Sequence, residues 1–285
     1  MFILMLMLWC TFTHPVIILV HGTFATEALW CYPKGDFYKI LEEEARLIDE
    51  KVVSFTWSGK LSHTARIQAA EALAKVILSY ATEKITLIGH SHGGNVINLT
   101  SQLLASLEDP QAPKNEKDPL AQAQNSITSY RSTLVQHSTS SKEYLIDHVY
   151  LLATPINMKR YAPHMKVIKH LCNLYSKKDI VQTVLGFYGR CINKLERVVN
   201  LQVIIEHEEV NKHPSHCQMR HPLIAQWILS IPFKFIENKS ISFENFSWTD
   251  DGILYFDKYN KPYYQIMKKV EIQQLLVEKA SSAAA

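Results

Sequence analysis

The sequence predicts an α/β domain in which helices cover both faces of a mostly parallel central sheet. Six short apolar and β-branched runs alternate along the chain with segments of helical periodicity. The runs are apolar at consecutive positions rather than at every second one, which indicates strands buried on both faces, as in a parallel sheet. Helices that connect parallel strands form right-handed crossovers, and these crossovers place helices on both faces.

The predicted strands follow the chain in a regular order. The first, residues 16–20, reads VIILV and is apolar at every position. The second, residues 52–57, reads VVSFTW and is rich in the β-branched and aromatic side chains that favour strands. The remaining predicted strands are residues 85–88, 149–152, 168–175 and 201–205.

Three helices are predicted between these strands. In the middle one, apolar residues recur from Leu73 at i, i+3, i+4 and i+7, which is the spacing of a helix with one buried face. The predicted helices span residues 37–49, 63–80 and 92–107.

Composition limits the classes of function. The 285 residues are 47% hydrophobic and 20% charged, enough to bury one large core in one or two domains. The 30 basic and 27 acidic residues give a net charge of +3 without a block of like charge, so nothing indicates a nucleic-acid partner. The five cysteines are widely spaced without a CxxC pair, so we expect buried, reduced thiols rather than disulfides or a four-cysteine zinc site.

Three segments interrupt the alternation around a main domain predicted over residues 14–238. Residues 1–13 are apolar and predict a first edge strand, a hydrophobic anchor or an export signal, although no basic residue precedes the run. Residues 108–143 are polar and lack core-forming periodicity, as is typical of a lid or a flexible insertion. Residues 239–285 contain aromatic, β-rich runs that predict a small hairpin appended after the main sheet, followed by a frayed tail.

Ser91 lies at the centre of the motif GHSHGG, residues 89–94, where a predicted strand meets a predicted helix. A serine hydroxyl becomes a good nucleophile when it is exposed on a sharp turn, beside a base and beside donors that stabilise an oxyanion. Gly89 and Gly93 flank the serine where side chains would collide as the strand turns into the helix. The pattern therefore predicts a nucleophilic Ser91, with an ordinary helix N-cap serine as the alternative.

Two backbone N–H groups are candidates for an oxyanion hole beside Ser91. The N–H of His92 lies in the first turn of the helix, at the positive end of its dipole. The N–H of Thr23 follows the first strand, in the segment HGTF. We interpret the side chains of His90 and His92 as structural or pocket-lining.

The segments HGTF and GHSHGG together resemble the α/β-hydrolase superfamily, in its lipase and esterase branch. The resemblance covers roughly residues 14–230. It implies an α/β-hydrolase fold and a triad of serine, acid and histidine in that chain order, with the acid after a late strand and the histidine after the last strand.

Asp179 fits the acid of this triad because it stands just beyond the carboxyl end of a predicted strand, where sites form in open α/β sheets. Asp147 is the rival, but it precedes its strand and so faces the opposite edge. His216 fits the histidine because the family's histidine usually lies in a loop shortly before the final helix. The other histidines of this region are His207, His213 and His221.

Other interpretations of these residues stay open. Asp179 could cap a helix. The cluster from His213 to His221, with Cys217, could hold a metal ion through imidazole and thiolate. Phe24 and Trp30 follow the first strand and could either line an acyl pocket or pack in the core.

The resemblance implies a serine hydrolase that cleaves carboxylic esters, including lipid or acylglycerol esters, through an acyl-enzyme on Ser91. Thioesterases and amidases use the same machinery, and a non-catalytic binding module on this fold is the alternative of another class. No cofactor or metal is expected. The expected partner is a small-molecule or lipid ester, and the apolar N-terminus would allow transient contact with a lipid surface. A cytoplasmic location is favoured, with export or membrane association as alternatives.

Overall fold

A sheet of eight strands forms the centre of the part of the chain that the computed structural model describes. The described residues are 15–80, 83–107, 118–134, 143–184, 189–193, 195–206, 212–229, 252–256 and 267–268. The strands are β1 (Val16–Val20), β2 (Lys51–Phe55), β3 (Ile85–His90), β4 (Ile146–Leu152), β5 (Ile168–Tyr175), β6 (Val198–Ile205), β7 (Gly252–Phe256) and β8 (Met267–Lys268). Their order is β2-β1-β3-β4-β5-β6-β7-β8, and all neighbours are parallel except β7 and β8.

Helices cover both faces of this sheet, as the sequence predicts. On one face α2 (His63–Ser79), α3 (His92–Ala105) and α4 (Pro119–Leu134) share a hydrophobic cluster with the strands. On the other face α1 (Asp36–Arg46) packs against α6 (Pro222–Ile228). The short α5 (Ile180–Val184) follows β5 in the chain. None of the helices in the described ranges is both long enough and apolar enough to cross a membrane. The strand order, the parallel direction and the sharp turn from β3 into α3 are those of the α/β-hydrolase fold.

Strand β1 shows why a continuous apolar run predicted a parallel sheet. Its residues are all fully buried, because alternate side chains enter the two different hydrophobic clusters. Val16, Ile18 and Val20 face the α2 and α3 side, whereas Ile17 and Leu19 face the α1 and α6 side. A strand covered on both faces has no solvent side, so no polar alternation is seen.

Most predicted elements are confirmed, with some ends shifted. β5 spans the predicted residues, whereas β6 begins at Val198 rather than at 201, because the buried polar Asn200 interrupts the apolar run that marked the strand. β2 ends at Phe55 rather than at 57. There the chain leaves the sheet, and the N–H of Trp57 donates to Nε2 of His21 at 3.1 Å.

Within residues 108–143, the segment predicted as a lid or flexible insertion, the central part forms α4 and packs along α2. Ser126 Oγ on α4 donates to Glu71 Oε1 at 2.6 Å and accepts from Lys75 Nζ at 2.9 Å. The buried face of α4 consists of Ala121, Ala123 and Ile127. Two of these three are alanines, which give only a weak apolar period. Residues 108–117 and 135–142 lie outside the described residues, and a lid role for them stays a prediction.

Two strands, β7 and β8, lie in the described part of the predicted C-terminal β-rich segment, residues 239–285. Strand β7 pairs in parallel with β6 and so extends the main sheet, with Leu254 and Phe256 buried. β8 pairs antiparallel with β7, as a hairpin would. The local pattern could not reveal β6 as the partner because β6 is distant along the chain. The rest of this segment, like residues 1–13, lies outside the described residues.

The cysteines match the expected buried thiols only in part. Cys31 and Cys172 are buried, and burial raises the pKa of the Cys31 thiol to about 11. Cys191 is partly exposed and Cys217 is exposed. Cys10 lies outside the described residues. Cys217 is therefore the thiol that departs most from the expectation.

Candidate active site

Ser91 occupies a strained turn between β3 and α3. Its φ is 55° and its ψ is −131°, a conformation that residues other than glycine rarely adopt. The turn is held by the N–H of Ser91, which donates to the Leu152 carbonyl at 2.8 Å. A Cβ at position 93 would collide with the main-chain oxygen of Val20, so only glycine lets α3 start this close to β1. The predicted sharp turn is therefore present at Ser91.

The loop after β1 comes into direct contact with Ser91. A Cβ at Gly22 would lie 2.9 Å from Ser91 Cβ and 3.0 Å from the His90 carbonyl oxygen, so this approach also requires glycine. The next residue, Thr23, therefore lies beside the serine. Phe24 follows with a φ of 55°, and its N–H donates to the Gly59 carbonyl at 2.9 Å.

His21 fixes the start of this loop from inside the protein. Its ring stacks on that of Trp57, with 5.5 Å between the ring centroids, and its Nε2 accepts the Trp57 N–H. The ring proton is therefore on Nδ1, which donates to the Gly22 carbonyl at 2.8 Å. Burial lowers the pKa of His21, which keeps this neutral tautomer. His21 thus positions the peptide that precedes Thr23, a contribution that the sequence reasoning missed.

The two N–H groups predicted to form an oxyanion hole are both available. No hydrogen-bond acceptor for the N–H of Thr23 or of His92 is found among the described residues. Both residues adjoin Ser91, His92 through the chain and Thr23 through the contact of Gly22. The His92 side chain accepts from Asn95 Nδ2 at its Nδ1, 3.0 Å away. Burial first, then the charges of Arg66 and His216, lower the pKa of His92 to about 4, so its ring is neutral near pH 7.

Asp179 and His216 form a direct hydrogen bond, from Nδ1 of His216 to Oδ2 of Asp179, at 2.8 Å. The Asp179 side chain is fully buried, and that of His216 is 15% exposed. Oδ1 of Asp179 accepts the N–H of Gln182 at 3.2 Å and so caps α5. The acid and helix-cap interpretations of Asp179 therefore both describe its contacts.

The rival acid, Asp147, lies at the opposite edge of the sheet. Its Oδ2 accepts the N–H of Ile85 at the start of β3, at 2.9 Å, whereas Ser91 follows the end of that strand. One competing histidine, His221, has a different partner, and another lies outside the described residues. His221 Nδ1 accepts the N–H of Leu223 at 3.3 Å and caps α6, and His207 lies outside the described residues. Within the part of the chain that the structure describes, no three metal-ligating side chains converge.

His90 forms a hydrogen bond to the main chain of His216. Its Nε2 donates to the His216 carbonyl at 2.9 Å, and the two ring centroids are 4.7 Å apart. Burial, with smaller effects from His216 and Arg220, lowers the pKa of His90 well below its usual range. His90 therefore stays neutral and holds the loop of His216 without carrying a charge into the site. A structural or pocket-lining role was predicted for His90, but this partner was not, because it is 126 positions away in the chain.

Ser91 and His216 line the same open cavity, which has a volume of about 500 Å³. One wall is the loop from Gly22 to Ala28, including Phe24, whose surface is 83% exposed. The other wall includes Cys217, which the sequence suggested only as a metal ligand, and Arg220, which sequence reasoning did not select. Trp30 is only 7% exposed and packs edge-on against His90 at 5.8 Å. It lines an adjacent cavity of about 420 Å³ rather than the one that contains Ser91.

Comparisons with known proteins add little to this geometry. No protein-family model matches the chain, and no curated protein matches its sequence. Among solved structures, a cutinase-like protein from Cryptococcus sp. is similar at 12% identity and a TM-score of 0.29, over 50% of this chain and 54% of that chain. An acetyl xylan esterase is similar at 13% identity and a TM-score of 0.28, over 50% of this chain and 65% of that chain.

Esterase B from Lactobacillus rhamnosis matches over more of the chain. Its identity is 12% and its TM-score 0.33, over 95% of this chain and 76% of that chain. The matches to the cutinase-like protein and the acetyl xylan esterase span less than two thirds of those chains. Likenesses with TM-scores this low carry no information about the activity of this chain.

Proposed function

We propose that this protein is a serine hydrolase that cleaves carboxylic esters through an acyl-enzyme on Ser91. The observation that carries the proposal is the 2.8 Å hydrogen bond between His216 and Asp179 at a cavity that Ser91 also lines. A serine on a strained turn, a histidine and a buried carboxylate that orients it are the parts of a nucleophilic triad.

In the first half of the reaction, Nε2 of His216 takes the proton of Ser91 Oγ while Oγ attacks the ester carbonyl carbon. The Nδ1–H of His216 donates to Asp179, so the ring presents an unprotonated Nε2. The carbonyl electrons move to oxygen, and the N–H groups of Thr23 and His92 stabilise the oxyanion. Each such donor contributes about 10²–10³-fold in rate.

The tetrahedral intermediate then collapses. The bond from carbon to the alcohol oxygen breaks, and Nε2–H of His216 protonates that oxygen, which leaves the acyl group on Ser91. A water molecule then gives its proton to Nε2 of His216 as it attacks the acyl carbon. The bond from that carbon to Ser91 Oγ breaks, and His216 returns the proton to Oγ. The products are one carboxylic acid and one alcohol. The buried Asp179 carboxylate stabilises the imidazolium that forms in both halves.

The volume of the cavity limits the size of the substrate. A volume of about 500 Å³ lies within the usual range of small-molecule sites, roughly 300–1,000 Å³. The exposed Phe24 ring offers an apolar wall for an acyl chain. Esters of short to medium acyl chains, including acylglycerols, fit this description, and thioesters share the chemistry.

The direct test is the hydrolysis of 4-nitrophenyl butyrate by the wild-type protein and by Ser91→Ala. We expect the variant to retain less than a few per cent of wild-type kcat/KM. Ser79→Ala, an exposed serine at the end of α2, is the matched control and should keep full activity. Substantial turnover by Ser91→Ala would remove Ser91 as the nucleophile. No turnover by the wild type on ester, thioester or amide substrates would favour the binding-module alternative.

A further inference from the structure

Arg220 stands where the Ser91 cavity meets its neighbour. It lines both the cavity of about 500 Å³ that contains Ser91 and the adjacent one of about 420 Å³. Ala28 and Cys217 are also common to both, so the two spaces adjoin along this boundary. A molecule with its reacting carbonyl at Ser91 could therefore extend past the guanidinium of Arg220 into the second cavity.

Arg220 is partly exposed, and its guanidinium has no carboxylate partner among the described residues. Its Nε donates to the Cys217 carbonyl at 3.4 Å, and its Cζ lies 5.9 Å from the ring centroid of Trp30. Neither contact neutralises the charge of the side chain. A guanidinium without a carboxylate partner is a strong binder of carboxylate and phosphate, because its planar N–H groups can donate two parallel hydrogen bonds.

The other charges around the two cavities leave Arg220 available. Glu27 lines the Ser91 cavity but is exposed on the opposite loop and forms no ion pair with Arg220. In the second cavity Lys34 adds a positive charge. Asp36, the acid there, lies 3.8 Å from Lys39. The space beyond Arg220 therefore favours a negative group over a neutral one.

We propose that the substrate is an ester that carries a second, anionic group, a carboxylate or a phosphate, and that Arg220 binds this group. The inference rests on the proposed function, because it places the reacting carbonyl at Ser91. It makes Arg220 a specificity-determining residue rather than a member of the catalytic machinery. The apolar parts of such a substrate would contact Phe24 in one cavity and Trp30 in the other.

Two pairs of substrates test the proposal and separate the two sources of charge. The acyl-side pair is 4-nitrophenyl butyrate and mono-4-nitrophenyl glutarate, which differ mainly in the terminal carboxylate. The alcohol-side pair is dihexanoylglycerol and dihexanoyl phosphatidic acid, which differ in the phosphate. In each pair the ratio of kcat/KM for the anionic member to that for the neutral member is measured.

We expect the wild-type protein to prefer the anionic member of at least one pair, and Arg220→Gln to lower that ratio by about tenfold, the effect of one charge-assisted hydrogen bond. Arg220→Lys keeps the charge without the planar fork and should give an intermediate ratio. Arg46→Gln, an arginine at the end of α1 that lines neither cavity, should leave both activities unchanged.

Absence of an anionic preference in both pairs would overturn the inference, as would an Arg220→Gln variant that loses activity on neutral and anionic esters by the same factor. Labelling of Ser91 by a neutral fluorophosphonate distinguishes this failure from failure of the proposed function. Wild-type protein that labels at Ser91 but shows no anionic preference remains a serine hydrolase without the Arg220 subsite. Wild-type protein that neither labels nor hydrolyses any of the four esters loses both proposals.

Discussion

Nδ1 of His216 lies 2.8 Å from Oδ2 of Asp179, although the two residues are 37 positions apart in the chain. The sheet explains this proximity. β5 and β6 are parallel neighbours, so the segments that follow their carboxyl ends emerge side by side. Asp179 follows the first of these strands and His216 the second. Ser91 follows β3 at the same edge and lines one cavity with His216, the residue that Asp179 contacts.

We expect Asp179→Asn to lower kcat on 4-nitrophenyl butyrate on the order of 10³-fold or more, because the amide disfavours the imidazole tautomer with its proton on Nδ1. The asparagine can still accept the N–H of Gln182, so the cap of α5 survives and the protein should remain folded. Stopped assays with equal amounts of folded protein, checked by circular dichroism, measure this loss. Asp147→Asn, at the opposite edge of the sheet, is the control. Equal losses in the two variants would argue against the role of Asp179.

Gly22→Ala should reduce ester hydrolysis severely. The added methyl would lie 2.9 Å from Ser91 Cβ and 3.0 Å from the His90 carbonyl oxygen, so the serine or the Thr23 loop must move. Overpacking of this kind costs about 1–3 kcal/mol of stability, and a displaced oxyanion donor lowers kcat in addition. Gly189→Ala is the matched control, since its nearest contact would be an ordinary 3.6 Å. Wild-type activity in Gly22→Ala would mean that this loop does not serve the reaction.

The sequence predicts those parts of the fold that depend on neighbouring residues better than those that depend on residues distant along the chain. Consecutive apolar residues reveal a strand buried on both faces, so β1 and β5 were located within their true bounds. The motif at Ser91 is local and carries its own glycines, so its turn was also predictable. The parallel partner of β7 and the helix α4 were missed, because one depends on a distant strand and the other buries mainly alanines.

Some residues of the candidate site were predictable from the sequence and others were not. Asp179 and His216 were chosen by their places after late strands in a resemblance to a known family, and the structure places them in contact. The roles of His21, His90 and Arg220 could not be inferred. Each depends on a neighbour far away in sequence: Trp57 for His21, the His216 carbonyl for His90, and Trp30 for Arg220. The type of a residue does not by itself predict such a contact.

Ile127→Ala tests whether α4 belongs to the core rather than to a mobile insertion. The Ile127 side chain is fully buried in the cluster shared with α2 and α3, so its truncation should lower the free energy of unfolding by about 2–4 kcal/mol. Denaturant titration measures the change. Thr128→Ala, on the exposed side of the same helix, should cost well under 1 kcal/mol. A negligible effect of Ile127→Ala would return this helix to the status of a detachable lid.

The stability of the fold should fall as the pH is lowered below about 6.5. Burial, followed by the charge of Lys84 and the neighbouring His170, lowers the pKa of His148 from 6.5 to about 3. Nearby Asp147 opposes this effect only in part. Between about pH 3 and pH 6.5, His148 binds a proton in the unfolded chain but not in the folded one, so acid favours unfolding. At pH 5.5 this histidine alone should lower the free energy of unfolding by about 1 kcal/mol relative to neutral pH.

Denaturant titrations at pH 7.5 and 5.5 check this expectation. His148→Gln removes the titrating group, and its free energy of unfolding should depend less steeply on pH than that of the wild type. His170 stacks on His148 with 5.5 Å between the ring centroids, and its own pKa is lowered to about 4 by burial and by Lys169 and Arg197. His170 should therefore preserve part of the pH dependence of unfolding in the His148→Gln variant. An unchanged pH dependence in His148→Gln would show that His148 is not held neutral by the fold.

The most direct test of the central claim is to find the residue that a fluorophosphonate modifies. The probe forms a stable phosphonate ester only with a serine that a neighbouring base activates. Wild-type protein should gain one phosphonyl group, located by peptide mass spectrometry on Ser91, whereas Ser91→Ala should gain none and His216→Ala should react far more slowly. Modification of a different serine, or of none, would contradict the assignment of Ser91 as the nucleophile.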